Sequence, residues 1–213
     1  HKPDDERVYV REVKSLIKAG HKITYFTRWE KESNLAEENL WHRNYSEVGL
    51  SIKEFTKGIL KDFKVLKPQV IHIHEFELLP LAKKAKKLYN CKIIYDVHEA
   101  NIELWDAFSS KPTSIKKVVN KALEQFEKKY LNIVDIILTT TPILVERYQE
   151  KGIETYLLPN YPIDLPRRGK KSSINTIIYH GQISIERGLE DLIKSIPAVA
   201  DVHKLFKLEI YGD

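Results

Sequence analysis

The sequence predicts an α/β protein with parallel sheets. Short β-branched and aromatic runs alternate with amphipathic helical stretches along the whole chain. The runs are apolar on both faces, as strands in a covered parallel sheet must be. A proline-rich, then basic stretch, PNYPIDLPRRGKKSS, interrupts this alternation and reads as a linker between two domains. The boundaries expected from it are residues 1–165 for the first domain, 166–173 for the linker and 174–213 for the start of a second.

Strands are expected at Lys22–Thr27, Gln69–His74, Lys92–His98, Val134–Thr140, Thr155–Leu158, Thr176–Gly181 and Lys207–Gly212. The first expected helix, Asp4–Ala19, has aspartates at its start and Gly20 as its stop. Others follow at Ser51–Leu66, Leu78–Tyr89, Ser114–Leu131, Pro142–Lys151 and Arg187–Val202. Ser114 is the expected cap of the fourth, with an apolar stripe of Val118, Val119, Ala122, Leu123, Phe126 and Tyr130. Pro142 suits a first helical position, where its missing N–H costs least. The polar segment Trp29–Gly49 shows neither period and is expected to be a loop. No internal repeat is visible.

The chain has 213 residues and a net charge of +5, with 42% hydrophobic and 10% aromatic content. That is enough for a packed core and excludes disorder. One cysteine, Cys91, excludes a disulfide framework and fits a reducing compartment. No apolar run approaches the ~18 residues of a membrane helix. The chain carries no Met and stops directly after the strand-like FKLEIYG. The fold is therefore expected to continue past Asp213.

The basic balance permits an anionic partner. The densest positive runs are Lys83–Lys92 and Lys116, Lys117, Lys121, Lys128 and Lys129. They fit either a solvated helix face or contact with an anionic membrane surface. Nucleic acid is not expected: Tyr25, Phe26, Tyr95 and Tyr179 fall inside strands rather than among exposed basic residues.

Two groups of residues carry the chemistry. The first is the stretch IIYHGQISIERGLEDLI, Ile177 to Ile193, a strand, a turn at Gly181, a polar loop and a helix. A helix N-terminus reached in this way can bind phosphate, because its first N–H groups lack intrahelical partners and the macrodipole favours an anion. Arg187 adds a cation beside Gly188. The second group lies at strand C-termini, where open α/β sheets bind ligands. HIHE (His72–Glu75) and YDVHE (Tyr95–Glu99) would bring His74, Glu75, His98 and Glu99 to one rim. Alternation places His72 and His74 on one face. These residues admit a structural role, with His72 and Asp96 satisfying buried backbone or helix N-termini. They also admit a metal site built on His-x-His plus a carboxylate, or a sugar-transfer cleft.

The chain resembles the group 1 (family 4) glycosyltransferases. The Ile177–Ile193 stretch is similar to their donor loop, YxGRLxxEKGLxxLIxA. HKPDDERVYVREVKSLIKAGHKI resembles the segment after their first strand, KPQVIHIHE their DVIHAHD, and IIYDVHE their VVxTVHD. TTTPILVERYQEKGIETYLLPNYPID resembles the strand, helix and PNGVD turn before their second domain.

The resemblance implies two Rossmann-like domains of the glycosyltransferase B type. The first would lack its initial strand and take the acceptor; the second, truncated, would hold the nucleotide diphosphate. It implies a retaining, metal-independent enzyme that needs no cofactor. Its donor would be a nucleotide-diphosphate sugar and its acceptor a polysaccharide or lipid-linked glycan of the cell envelope. A cytoplasmic location, peripheral on the inner face of the membrane, goes with that. His98 matches the histidine that approaches the donor sugar and is the expected catalytic residue. His74, Glu75 and Glu99 would contact substrate. Gly181, Gln182, Arg187 and Gly188 would hold the diphosphate. Gln182 stands where the family usually has Arg, so one phosphate cation is replaced by a neutral group. The family's Glu-x7-Glu pair would lie past Asp213. The other functions to be weighed are a non-catalytic nucleotide-sugar binder and a metal-dependent hydrolase using a His74/His98 rim.

Overall fold

The computed structural model describes residues 2–98, 105, 109–161, 175–203 and 206–212. The expected linker 166–173 and Glu99 lie outside the described residues. Contacts divide the chain into two units, His1–Ile163 and Asp164–Asp213.

The first unit begins with a helix wound in two ways. Glu6–Val13 is π-helical and continues as α1 (Lys14–Lys18). Asp5 caps it by accepting from Val8 N–H, and the wide turn shows in Val10 N–H donating to the Asp5 carbonyl (3.1 Å). β1 (Ile23–Arg28) pairs in parallel with β2 (Leu40–Tyr45). β2 lies inside the segment expected to be a loop. Its sequence, LWHRNY, alternates poorly, and its place depends on tertiary partners: Asn44 accepts from Thr27 Oγ1 (2.9 Å), and His42 Nε2 lies 2.9 Å from the same hydroxyl.

α2 (Ile52–Leu66) starts in a full capping box, Ser51 accepting from Glu54 N–H and Glu54 from Ser51 N–H. Then come β3 (Val70–Ile73), α3 (Leu79–Tyr89), β4 (Lys92–Val97), α4 (Thr113–Leu131), β5 (Ile136–Thr139), α5 (Pro142–Gln149) and β6 (Thr155–Leu157). The strands form a parallel four-stranded sheet in the order β3-β4-β5-β6. Phe55, Ile59 and Phe63 of α2 and Leu79, Ala82 and Ala85 of α3 pack in one core with Ile71, Ile73, Ile93, Tyr95 and Ile137 of the strands. Burying each of the Leu, Ile and Phe side chains among these contributes roughly 1.5–3 kcal/mol. Val8, Tyr9, Val13 and Tyr25 make a smaller cluster under the first helix.

Two local expectations fail on α4. Pro112, not Ser114, is the capping position, with no side-chain cap bond. Proline fixes φ near the required value without needing a donor. The expected stripe is only partly inward: Phe126 and Tyr130 pack on the core, while Val118 is 70% exposed. The lysine runs are not all solvated. Lys86 donates to Asp135 Oδ2 (2.6 Å) and to the Ile133 carbonyl (2.8 Å), and Lys92 donates to Asp135 Oδ1 (3.0 Å).

Asp135 also accepts from Ile93 N–H (2.8 Å), which joins β4 to the turn before β5. Burial opposes its charge, but the bonds from Lys86, Ile93 and Lys92 outweigh it and hold the carboxyl down at about 2. The folded pKa is depressed, so this stabilisation is present above the unfolded value near 4 and is lost as pH falls through about 2. The cation partners Lys86 and Lys92 are partly solvated, so screening holds the contribution to about 1 kcal/mol. Urea titrations between pH 5 and pH 2 should therefore show a loss in the wild type that Asp135→Asn lacks. Parallel pH curves for the two proteins would refute this role.

In the second unit, β7 (Asn175–His180) pairs in parallel with β8 (Phe206–Tyr211), joined through a short 3-10 turn, Ile185–Arg187, and α6 (Leu189–Val202). Leu189 is buried and Leu192 and Ile196 are half-buried; Ile193, expected on the same face, is 50% exposed.

Candidate functional site

The C-terminal ends of β3 and β4 face the first helix across a polar cluster. Strand alternation puts His72 and His74 on one side of β3, their rings stacked with centroids 4.5 Å apart. β4 brings Asp96, whose side chain is fully buried, and ends just before His98. The His98 carbonyl accepts from Thr140 Oγ1 (3.1 Å), which ties this rim to the end of β5. The His74 and His98 rings lie 6.4 Å apart between centroids. Glu75 precedes the 3-10 turn Phe76–Leu78, its carbonyl accepting from Leu78 N–H (3.0 Å). The structure thus brings His74 and His98 together as expected, with Glu75 next in the chain.

Sequence reasoning did not foresee the partners from the first helix. Arg7 grips Asp96 with two bonds, Nε to Oδ2 (2.9 Å) and Nη2 to Oδ1 (2.8 Å). Its Nη1 donates to the Leu158 carbonyl (3.1 Å) and to Asn160 Oδ1 (2.7 Å), just past β6. One guanidinium therefore joins the first helix, the end of β4 and the exit from β6. Asp96 was expected to satisfy backbone or a helix N-terminus; instead it is saturated by side chains. Glu12 points into the same space. Its Oε1 is 3.2 Å from Arg7 Nε, and its Oε2 is 3.7 Å from His72 Nε2 and 3.8 Å from His74 Nε2.

The electrostatics follow from this layout. Burial works against the Asp96 charge, but hydrogen bonds from His74 and Arg7 outweigh it and hold its carboxyl well below the usual range. An ionised carboxylate only accepts, so His74 Nδ1, 3.1 Å from Asp96 Oδ2, must be the donor. In the neutral ring that leaves the Nε2 lone pair facing Glu12. Burial raises the Glu12 carboxyl, and the nearby Asp96 charge raises it further, to about 8. Burial pushes His72 down to about 3, so its ring is neutral at pH 7. His72 was expected to satisfy backbone, yet its Nε2 is sealed from solvent without a hydrogen-bond partner.

In the second unit, Gly181 follows β7 with φ 151°, and its N–H donates to the Tyr211 carbonyl (3.0 Å). A Cβ on Gly212 would lie 1.9 Å from the Gly181 carbonyl oxygen, so this crossing of two backbones requires glycine there. Gln182 and Arg187 are exposed. Gly188 takes the left-handed conformation (φ 71°) at the start of α6, a turn that a side chain would strain. Glu190 and Asp191 occupy the first turn of that helix, and Lys194 pairs with Glu190. They offset part of the positive end of the macrodipole, and the exposed Arg187 is the cation beside it.

Parallel strands with polar groups gathered at their C-terminal ends, and a strand–loop–helix carrying an exposed arginine, are the layout in which open α/β sheets commonly bind ligands. Residues 6–165 match the family model for Glycosyltransferase Family 4, and the chain belongs to that family. Among solved structures, sucrose-phosphate synthase from Thermosynechococcus elongatus is similar, with a TM-score of 0.68 at 15% identity. The match covers 97% of this chain and 56% of that one, and the fold is the glycosyltransferase B type. No curated protein sequence matches the chain.

Proposed function

We propose that the whole protein is a retaining glycosyltransferase that moves a sugar from a nucleotide-diphosphate donor to a polysaccharide or lipid-linked acceptor. The observation that carries this reading is the family match over residues 6–165, which includes the His74 and His98 rim. In this reading His98 is the catalytic residue at the donor sugar, and His74, Glu75 and Glu99 contact substrate. Gly181, Gln182, Arg187 and Gly188 hold the diphosphate. Charge builds on the diphosphate as the glycosidic bond breaks. The Arg187 guanidinium and the first N–H groups of α6 would stabilise it without a metal ion. No cofactor is required beyond the donor itself.

Acceptor class and location belong to the same proposal. Among the described residues no helix is long and apolar enough to cross a membrane. The lysines of α4, with Ile115 46% and Val118 70% exposed beside them, suit peripheral contact with anionic lipid on the inner face of a cell membrane. The protein would then be cytoplasmic.

A thermal-shift panel on the full-length protein tests the donor site, using UDP, GDP, ADP and their common sugars with and without EDTA. A nucleotide at 100 times its dissociation constant adds about 2.7 kcal/mol. One base should stabilise selectively, and its increment over an EDTA-matched blank should be unchanged. An increment that vanishes in EDTA would refute the metal-independent diphosphate site.

A further inference from the structure

The cluster under the first helix has a property that sugar transfer does not use. Glu12 Oε2 and His72 Nε2 are sealed from solvent without a hydrogen-bond partner, while Glu12 Oε1 has Arg7 Nε at 3.2 Å. The Glu12 side chain is only 10% exposed. Buried polar groups left in this way are costly, and native folds keep few of them. These atoms also converge: single donor atoms of Glu12, His72, His74 and Asp96 all lie within 4.8 Å of one another.

We propose that Glu12, His72 and His74 form a binding site for a divalent transition metal of the zinc class, with Asp96 orienting His74 from behind. The donor set is two imidazoles and one carboxylate, which suits zinc, cobalt or nickel and not the all-oxygen preference of magnesium or calcium. His-x-His on one strand aims both rings the same way, and the helix supplies the third ligand. Around tetrahedral zinc with bonds of about 2.0–2.1 Å, neighbouring ligand atoms stand about 3.3 Å apart. The observed 3.7 Å and 3.8 Å between Glu12 Oε2 and the two Nε2 atoms need close by only a few tenths of an ångström. The Asp96–His74 bond is the outer carboxylate–histidine contact that metal-ligating imidazoles commonly make, and it leaves the lone pair on Nε2.

Arg7 does not compete for the same oxygen. Its guanidinium is taken by Asp96, Leu158 and Asn160 and approaches Glu12 at Oε1, leaving Oε2 to the histidines. The alternative occupant is a proton on Glu12. A metal would displace that proton and fasten the first helix to β3. The site lies wholly in the first unit and makes no demand on the diphosphate loop. It does take His74, whose two ring nitrogens would then face Asp96 and the metal and leave polar contact with substrate at that rim to His98 and Glu75.

The test uses the full-length protein without an affinity tag, stripped with EDTA, dialysed, and titrated with Zn²⁺ against a chromophoric chelator. One equivalent should bind and raise the melting temperature, while millimolar Mg²⁺ does neither. Glu12→Gln and His72→Gln should each weaken zinc by at least about 100-fold, and His21→Gln, at an exposed position away from the cluster, should not. No stoichiometric zinc, or affinity unchanged in both cluster variants, overturns the proposal and leaves the proton as occupant. If the variants do not fold, X-ray absorption on the zinc-loaded wild type decides. Two imidazoles with oxygen ligands support the site; one imidazole or none overturns it.

Discussion

Replacing Asp96 by alanine is expected to cost about 3–5 kcal/mol of stability, the largest loss of any single substitution in the polar cluster. The carboxylate is fully buried, and Arg7 is buried beside it with only 10% of its side chain exposed. Removing Asp96 strands that guanidinium with the Leu158 carbonyl and Asn160 as its remaining bonded acceptors and Glu12 as the nearest carboxylate. It also releases the His74 ring. Asp96→Asn keeps the shape and one acceptor and should lose less. Urea denaturation at pH 7 measures both. A cost under about 1 kcal/mol for Asp96→Ala would mean that this network does not hold the first helix to the sheet.

The second large effect is on turnover. In the full-length protein His98→Ala should lower kcat on the order of 100-fold while leaving nucleotide affinity close to wild type. Arg187→Ala should do the reverse in emphasis, weakening nucleoside diphosphate binding about 10–100-fold through loss of a charge-assisted contact. Steady-state kinetics with equilibrium binding of the diphosphate separates the two. The contrast follows from position: His98 stands at a strand end beside His74, and Arg187 at an exposed loop before α6. Wild-type transfer rates in both variants would show that the site has been assigned to the wrong residues.

Much of the architecture was legible because the local signals agreed with the tertiary ones. The expected strands were found within a residue or two, since β-branched runs such as VIHI and KIIYDV are bounded by turn residues. β2 was not legible. LWHRNY has no two-residue period, and its strand geometry is imposed by parallel pairing with β1 and by Thr27 and Asn44. Ser114 misled because a good capping residue sits one place inside a helix that Pro112 already starts.

The candidate site divides in the same way. His74 and His98 were readable because strand ends and alternation suffice to place them. Arg7 and Glu12 were not, because they are five residues apart. At about 100° per residue an α-helix turns such a pair onto different faces, but Glu6–Val13 is wound with i→i+5 bonds, which swings both into one cluster. The metal reading of His-x-His lacked a third ligand in the sequence for that reason. The helix that supplies it lies 60 residues before His72 in the chain, with no spacing rule to connect them.

The most direct measurement for the assigned activity is proton NMR of the full-length protein turning over the nucleotide sugar selected by the stability panel, with candidate glycan acceptors. The account predicts acceptor-dependent release of the nucleoside diphosphate and a product whose anomeric proton keeps the donor's configuration. Binding of the nucleotide sugar with no diphosphate released from any acceptor would contradict it and leave a non-catalytic binder in its place.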